Sequence, residues 1–312
     1  MMHYINPLIN QRADPHLSLG DDGYYYFTAS VPEYDRIELR RARHITELSC
    51  AETVDIWHAP SSGPYSSLIW APELHNLFDQ WVIYFAAAPN REIVDGLFQH
   101  RMYALGCHAE NPCNGDWKLL GQVDSGIDSF CLDATHFKHH GKSFYVWAQK
   151  DPSIAGNSNL YIATLKTPTW LDSPAVCLSV PDKSWEQQGF KVNEGPAILL
   201  RNNKVMITYS ASATDENYCI GLLWADTRSD LLDPNNWHKL DDPILTSSVE
   251  REIYGPGHNS FTCDEQGHDL MVYHARSYTD IKGDPLWDPN RHTRIKHVNY
   301  GNDGLIKPDL PE

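Results

Sequence analysis

HGKSFYVWAQ (residues 140–149) is a turn followed by an apolar, aromatic-rich run, and the same element recurs four more times along the chain. The other copies are GDDGYYYFTAS (20–30), FDQWVIYFAAA (78–88), NNKVMITYSAS (202–212) and QGHDLMVYHARS (266–277). Each joins a Gly, Asn or Asp turn to a run whose aromatic and β-branched content reads as a strand. The equivalent residues Tyr24, Val82, Phe144, Val205 and Leu270 fall about sixty residues apart, which suits one blade of a β-propeller. Five such units use nearly the whole chain, so residues 1–312 are expected to form a single all-β domain, a five-bladed β-propeller. Outer strands are expected at 37–45, 100–109, 159–166, 219–227 and 292–300. Several lead to Trp-containing segments (DIWHA, GDWKLL, TPTWLD, NNWHKL) that would pack between blades. Residues 1–12 would pair with the C-terminal strands and so remove an exposed sheet edge. Helix is expected only as short turns at 45–52 and 91–99.

One hairpin upstream of each aromatic strand lies a second, shorter one. Its head reads RADPHL (12–17), WAPELH (70–75), LDATHF (132–137), NEGPAIL (193–199) or GPGHNSF (255–261). Counted back from the aligned position, Asp14, Asp133, Glu194 and His258 share one register, whereas the second repeat offers Ala71-Pro72-Glu73. In a propeller the innermost strands line the central channel, so three carboxylates and a histidine distant in sequence should meet in one funnel. The second repeat departs from this pattern, and its pocket wall should be small and apolar with Glu73 turned aside.

The chain has 312 residues, 41% of them apolar, with 10 Trp and 16 Tyr. Such rings serve sheet packing and also stack against sugars. A net charge of −16 disfavours nucleic acid and anionic membranes as partners. No apolar run is long enough to span a bilayer. The N-terminal residues show no basic stretch followed by an apolar one, and the seven cysteines are scattered without a disulfide framework. Those two features together suggest a cytoplasmic protein.

Two carboxyl groups facing each other across a pocket are the minimum equipment for hydrolysing a glycosidic bond, one protonated and one ionised. Glu194, with its longer side chain, suits the acid. Asp14, flanked by Arg12 and His16, suits the base. Asp133 suits a group that orients the acid and raises its pKa by like-charge repulsion. An isolated acid at a strand end is usually only solvated, but three at one register of a fivefold repeat point to chemistry. His258 at that register could be a core histidine, a sugar ligand or a cation-binding group, and an oxygen-rich site there would suit Ca²⁺.

The same residues carry a resemblance. RADPH, IWAPELH, LDATHF, YVWAQ, NEGPAIL, GHNSF and DPNRHTRIKHV resemble glycoside hydrolase family 43, in family order from Asn6 to about Asn302. DGYYYFTASVPEYDRIELRRARHITEL is similar to the exo-acting α-L-arabinofuranosidase branch. The resemblance implies an inverting mechanism with Asp14 as base, Glu194 as acid and Asp133 as pKa modulator. It also implies His258 on the channel, helping to hold a cation through water, and Arg294 on the sugar. Trp70 and Trp147 resemble pocket residues of the family, with packing between blades as the alternative. No cofactor is required by this reading. The substrate expected is arabinan or an arabino-oligosaccharide, with β-xylosidase or endo-arabinanase activity as the alternative. A catalytically silent carbohydrate-binding propeller would ordinarily have lost one of the three acids.

Two other clusters invite a zinc assignment and fail it. Cys107 and Cys113 around His108 lack the spacing of a zinc knuckle, and His136, His139 and His140 lie on a hairpin, where positions four apart do not share a face. No glycine-rich phosphate loop is present.

Overall fold

The structure is a computed structural model that describes residues 4–309. Five antiparallel sheets follow one another along the chain. Blade 1 contains Ala13–Leu19, Tyr25–Ser30, Arg36–Ala42 and Val54–His58. Blade 2 contains Ser67–Leu77, Gln80–Ala88, Arg101–Cys107 and Lys118–Gln122. Blade 3 contains Cys131–His139, Lys142–Gln149 and Asn159–Thr167, with Trp170–Leu171 and Val176–Ser179 both pairing on its outer side. Blade 4 contains Asn193–Arg201, Lys204–Ala211, Cys219–Asp226 and His238–Lys239. Blade 5 contains Tyr254–Cys263, Asp269–Arg276 and His292–His297.

The first strand of each blade packs against the first strands of its two neighbours, and blade 5 meets blade 1, which closes the ring. Hydrogen bonds reinforce the closure: the N-terminal segment supplies the outer edge of blade 5. Leu8 donates its N–H to the Thr293 carbonyl at 2.8 Å, and Thr293 donates back to Ile9 at 2.9 Å. The Asn6 side chain bonds Ile295 in both directions, at 2.9 Å each. This pairing satisfies an edge that would otherwise expose a row of backbone donors and acceptors.

The apolar core lies between blades. Tyr26 of blade 1 packs with Ile83 and Phe85 of blade 2. Leu17 and Phe27 meet Leu270 and Val272 across the seam between blades 1 and 5. Tyr84, Trp147 and Ile207 share one cluster that runs through blades 2, 3 and 4. Burying side chains of this size stabilises the fold by about 1.5–3 kcal/mol each.

The repeated register is a repeated backbone defect. Pairing between the first two strands shifts near the head of every blade: between Ala13 and His16, Trp70 and Glu73, Leu132 and Ala134, Glu194 and Ala197, and Gly257 and Ser260, with a second shift just before it in blades 2 and 5. A residue at each shift has left-handed backbone: Asp14 (φ 52°), Ala71 (48°), Asp133 (52°), Gly195 (54°) and His258 (42°). A β-bulge bends its strand and re-aims the side chain. Asp tolerates that conformation well, whereas strained non-glycine backbone costs about 1–3 kcal/mol per residue. In blade 4 glycine occupies the left-handed position, so Glu194 stands one residue before the place its alignment with Asp14 suggested.

Two smaller expectations are corrected. Residues 93–98 form a β-hairpin, Ile93–Val94 with Leu97–Phe98, in place of the expected turn of helix, because the β-branched pair and Gly96 favour a tight strand reversal. Trp170 is 69% exposed, so its segment does not bury its ring between blades as Trp117 and Trp237 do.

Candidate active site

The bulges bring Asp14, Asp133 and His258 to the rim of the channel, and Glu194 joins them in one cavity of about 210 Å³. All but Glu194 are buried, and Glu194 is half-buried. Their partners set them apart. Asp14 Oδ2 accepts from the Ser30 hydroxyl at 2.6 Å, and that hydroxyl oxygen accepts from the Ala71 N–H at 2.8 Å. Asp14 Oδ1 lies 3.4 Å from His258 Nδ1, 3.3 Å from His274 Nδ1 and 3.7 Å from Arg291 Nη1. Burial alone would raise the Asp14 pKa, but His258 and Arg291 outweigh it and hold the carboxyl well below the usual range.

Glu194 has the opposite environment. Its Oε1 accepts from the Tyr218 hydroxyl at 2.7 Å. Burial pushes its pKa up to about 7; the Tyr218 hydrogen bond and Arg291 pull it down, and the Asp14 charge adds to the rise. Asp133 Oδ2 accepts from the Gly195 N–H at 3.0 Å, next to Glu194 in the chain. Burial and repulsion from Glu194 and Asp14 drive the Asp133 pKa well above the ordinary carboxylate range. At neutral pH the arrangement therefore holds one fixed anion, Asp14, beside two carboxyls pushed toward the protonated form, Glu194 and Asp133.

The remaining expected residues divide. Trp70 lines the cavity, stacked on His100 at 3.9 Å with its edge against Phe98. Trp147 does not line it. Its ring is fully buried, stacks on Tyr161, and donates Nε1–H to Gln149 at 2.8 Å. Packing between blades accounts for it. Arg294 is also misplaced: it donates to Ser277 at 2.7 Å and to the Glu252 carbonyl at 3.3 Å, outside the cavity. Arg291 stands in the cavity wall instead, donating to Tyr34 at 2.8 Å. Both arginines belong to DPNRHTR. Arg291 immediately precedes the strand His292–His297, on the cavity side, while Arg294 is three residues along it, a displacement of about 10 Å. Tyr218, His274 and Ser30 were missed, since lone polar residues in or beside aromatic strands carry no spacing signal.

Below the acids lies a second buried layer. Glu73, expected to turn aside, points into the channel: its Oε2 is 3.0 Å from His75 Nε2 and 3.8 Å from His16 Nε2. Among the described residues these three come close enough to suggest a metal. The hydrogen bonds favour another reading. His16 Nδ1 accepts from the Leu74 N–H at 3.3 Å, so its proton is on Nε2, facing Glu73 as a donor. Burial lowers the pKa of His16 to about 4 and of His75 to about 3, which keeps both neutral. His139 and His140 each donate to the Thr227 carbonyl, at 2.7 and 3.0 Å.

The model of the glycosyl hydrolases family 43 matches residues 4–306. The chain belongs to that family. It is 48% identical to the alpha-L-arabinofuranosidase 43 of Humicola insolens, over 99% of this chain and 64% of that protein. It is 46% identical to the extracellular exo-alpha-(1->5)-L-arabinofuranosidase of Streptomyces chartreusis, over 90% of this chain and 85% of the relative. Among solved structures, an alpha-L-arabinofuranosidase from Lactobacillus brevis superposes with a TM-score of 0.96 at 50% identity, covering 99% of this chain and 97% of the other. The chain thus spans under two thirds of the length of the Humicola relative. The Streptomyces relative is named extracellular, which overturns the expectation of a cytoplasmic protein. That expectation rested on the first residues of the sequence and on unpaired thiols, and neither reports location. No helix among the described residues is long and apolar enough to cross a membrane.

Proposed function

We propose that this chain is an inverting, exo-acting α-L-arabinofuranosidase that removes terminal α-L-arabinofuranosyl units from arabinan or arabino-oligosaccharides outside the cell. In this reading residues 1–312 act as one catalytic domain. Asp14 takes a proton from the attacking water, Glu194 protonates the departing glycosidic oxygen, and Asp133 orients Glu194 through the Gly195 N–H that it accepts. The observation that carries the reading is the opposed titration of Asp14 and Glu194 across one cavity. The hairpin 93–98 with Trp70 packed on it, and Phe190, line the cavity above the acids, and we take this wall to favour a pocket for a chain end over an open groove. Arg291 and Trp70 would contact the sugar.

His258 fits the cation that the family resemblance implies only in a limited way. Its Nδ1 faces two carboxylates, so it would offer one nitrogen, with water completing the shell of a hard ion. Such an ion would add positive charge beneath the acids, and no step of the proposed reaction passes through it.

The test compares substrates that differ in leaving group. Glu194→Ala should lose roughly 10²–10⁴-fold in kcat/KM on arabinobiose, the range of general acid catalysis, and far less on a nitrophenyl arabinofuranoside, which leaves without a proton. Equal losses would remove Glu194 from the acid role. Xylose release from an aryl xyloside at a rate comparable to arabinose release would overturn the sugar assignment. Proton NMR of the first product anomer should show inversion.

A further inference from the structure

We infer that Tyr218 is the positioning residue of the acid: it fixes which oxygen of Glu194 carries the proton and strengthens its hydrogen bond as that proton leaves. The inference rests on the acid role proposed for Glu194. Tyr218 ends the loop between two blade-4 strands, Lys204–Ala211 and Cys219–Asp226, and its ring is 2% exposed. Its hydroxyl reaches Glu194 Oε1 at 2.7 Å. With Oε1 accepting that bond, the proton of the neutral acid is directed to Oε2. Once the proton has passed to the leaving oxygen, the same hydroxyl donates to a carboxylate, and a bond to a charged acceptor is roughly twice as strong as a neutral one. An interaction that strengthens along the reaction lowers the barrier rather than only the ground state.

The tyrosine is held for this task by parts of the chain that the reaction does not otherwise use. Its ring lies parallel to His274, 5.7 Å between centroids and 5° between planes. His274 Nδ1 in turn accepts the Asp14 N–H at 3.0 Å. The acid and base arms are thereby joined through two stacked rings. Gly257 supplies the space: a Cβ there would sit 2.1 Å from the Tyr218 ring. Gly255 does the same for the loop, since its Cβ would meet the Asp215 carbonyl oxygen at 2.2 Å. The two glycines of Gly255-Pro256-Gly257 therefore accommodate Tyr218. Burial and the neighbouring Glu194 push the Tyr218 hydroxyl well above its ordinary pKa, so it remains a donor wherever the enzyme works.

Tyr218→Phe removes the hydroxyl and keeps the ring. On arabinobiose its kcat/KM should fall roughly 10–100-fold, the worth of a hydrogen bond to a charged group. On nitrophenyl arabinofuranoside the loss should stay within about threefold, since that leaving group needs no proton. The alkaline limb of the pH profile should move to higher pH, because the carboxylate loses a stabilising donor. Placed in Glu194→Ala, the same substitution should cost nothing further on arabinobiose. Equal losses on both substrates with an unmoved alkaline limb would overturn the inference and leave a structural role. If Glu194→Ala shows the leaving-group split and Tyr218→Phe does not, the tyrosine inference alone falls. If Glu194→Ala itself shows no split, the acid assignment falls and takes this inference with it.

Discussion

The channel holds two layers of buried ionisable groups, and they behave in opposite ways. The upper layer is Asp14, Asp133 and Glu194; the lower is His16, two residues beyond Asp14 in blade 1, with Glu73 and His75, two and four residues beyond Ala71 in blade 2. In the lower layer the groups satisfy one another: two neutral imidazoles face one carboxyl whose own pKa burial raises. In the upper layer Arg291 enters from blade 5 and biases one acid against the other, and the cavity opens above them. Burial of titratable side chains is thus common to both layers and marks neither as a site. Each layer lines a cavity of its own, of about 270 Å³ below and about 210 Å³ above, so the pKa values driven in opposite directions mark the upper one.

Breaking the upper layer should have the largest effect. Asp14→Ala should lower kcat/KM by roughly 10³–10⁴-fold on arabinobiose and nitrophenyl arabinofuranoside alike, since the base serves both. A loss confined to one substrate would break the contrast with Glu194. Arg291→Met comes next, at roughly 100-fold. It should also raise the Asp14 pKa, so an acid limb that the parent enzyme lacks should enter the activity profile. A profile still level on the acid side would show that the arginine does not set the charge of Asp14.

Trp147→Ala sharpens the comparison from the structural side. A cavity left by a fully buried ring should cost about 3–5 kcal/mol in denaturant unfolding, with kcat/KM of the folded fraction unchanged. A selective loss of kcat/KM would return Trp147 to the pocket. The smallest effect belongs to the lower layer. His75→Gln should cost about 1–3 kcal/mol of stability by loosening the Glu73 network, without altering turnover. The pH sign is definite. His16 and His75 have folded pKa values below the ordinary 6.5, so they favour the fold above that pH. Their contribution is lost as pH falls from about 6.5 toward 4. The acid-side decline of Tm should be shallower in His75→Gln, and an unchanged decline would show that His75 titrates alike in both states.

Much of this was legible in the chain. The fivefold aromatic repeat implies the propeller because a period near sixty residues with internal turns has few other solutions. Asp14, Asp133 and His258 stood out because bulges recur at one register, although the bulge itself, a left-handed backbone at a non-glycine residue, has no sequence signature. Glu194 stands one position off it, since Gly195 takes the left-handed conformation there, which glycine adopts without strain. Arg291 and Arg294 could not be told apart without knowing where the strand begins. Trp70 sits in the first strand of blade 2 and Trp147 in the aromatic strand of blade 3, and the hairpin 93–98 with Phe98 shows that the first meets the cavity. Glu73 seemed a departure from the repeat because its role lies in a layer that the aligned register does not sample.

The most direct test is the pH dependence of kcat/KM for arabinobiose hydrolysis. With Glu194 as acid and Asp14 as base, activity should fall with a single limb as pH rises through about 7 and stay level down to the lowest pH at which the protein remains folded. In Glu194→Ala, assayed with nitrophenyl arabinofuranoside, the limb near 7 should vanish. A limb near 7 that survives in Glu194→Ala would contradict the assignment of the titrating acid to Glu194.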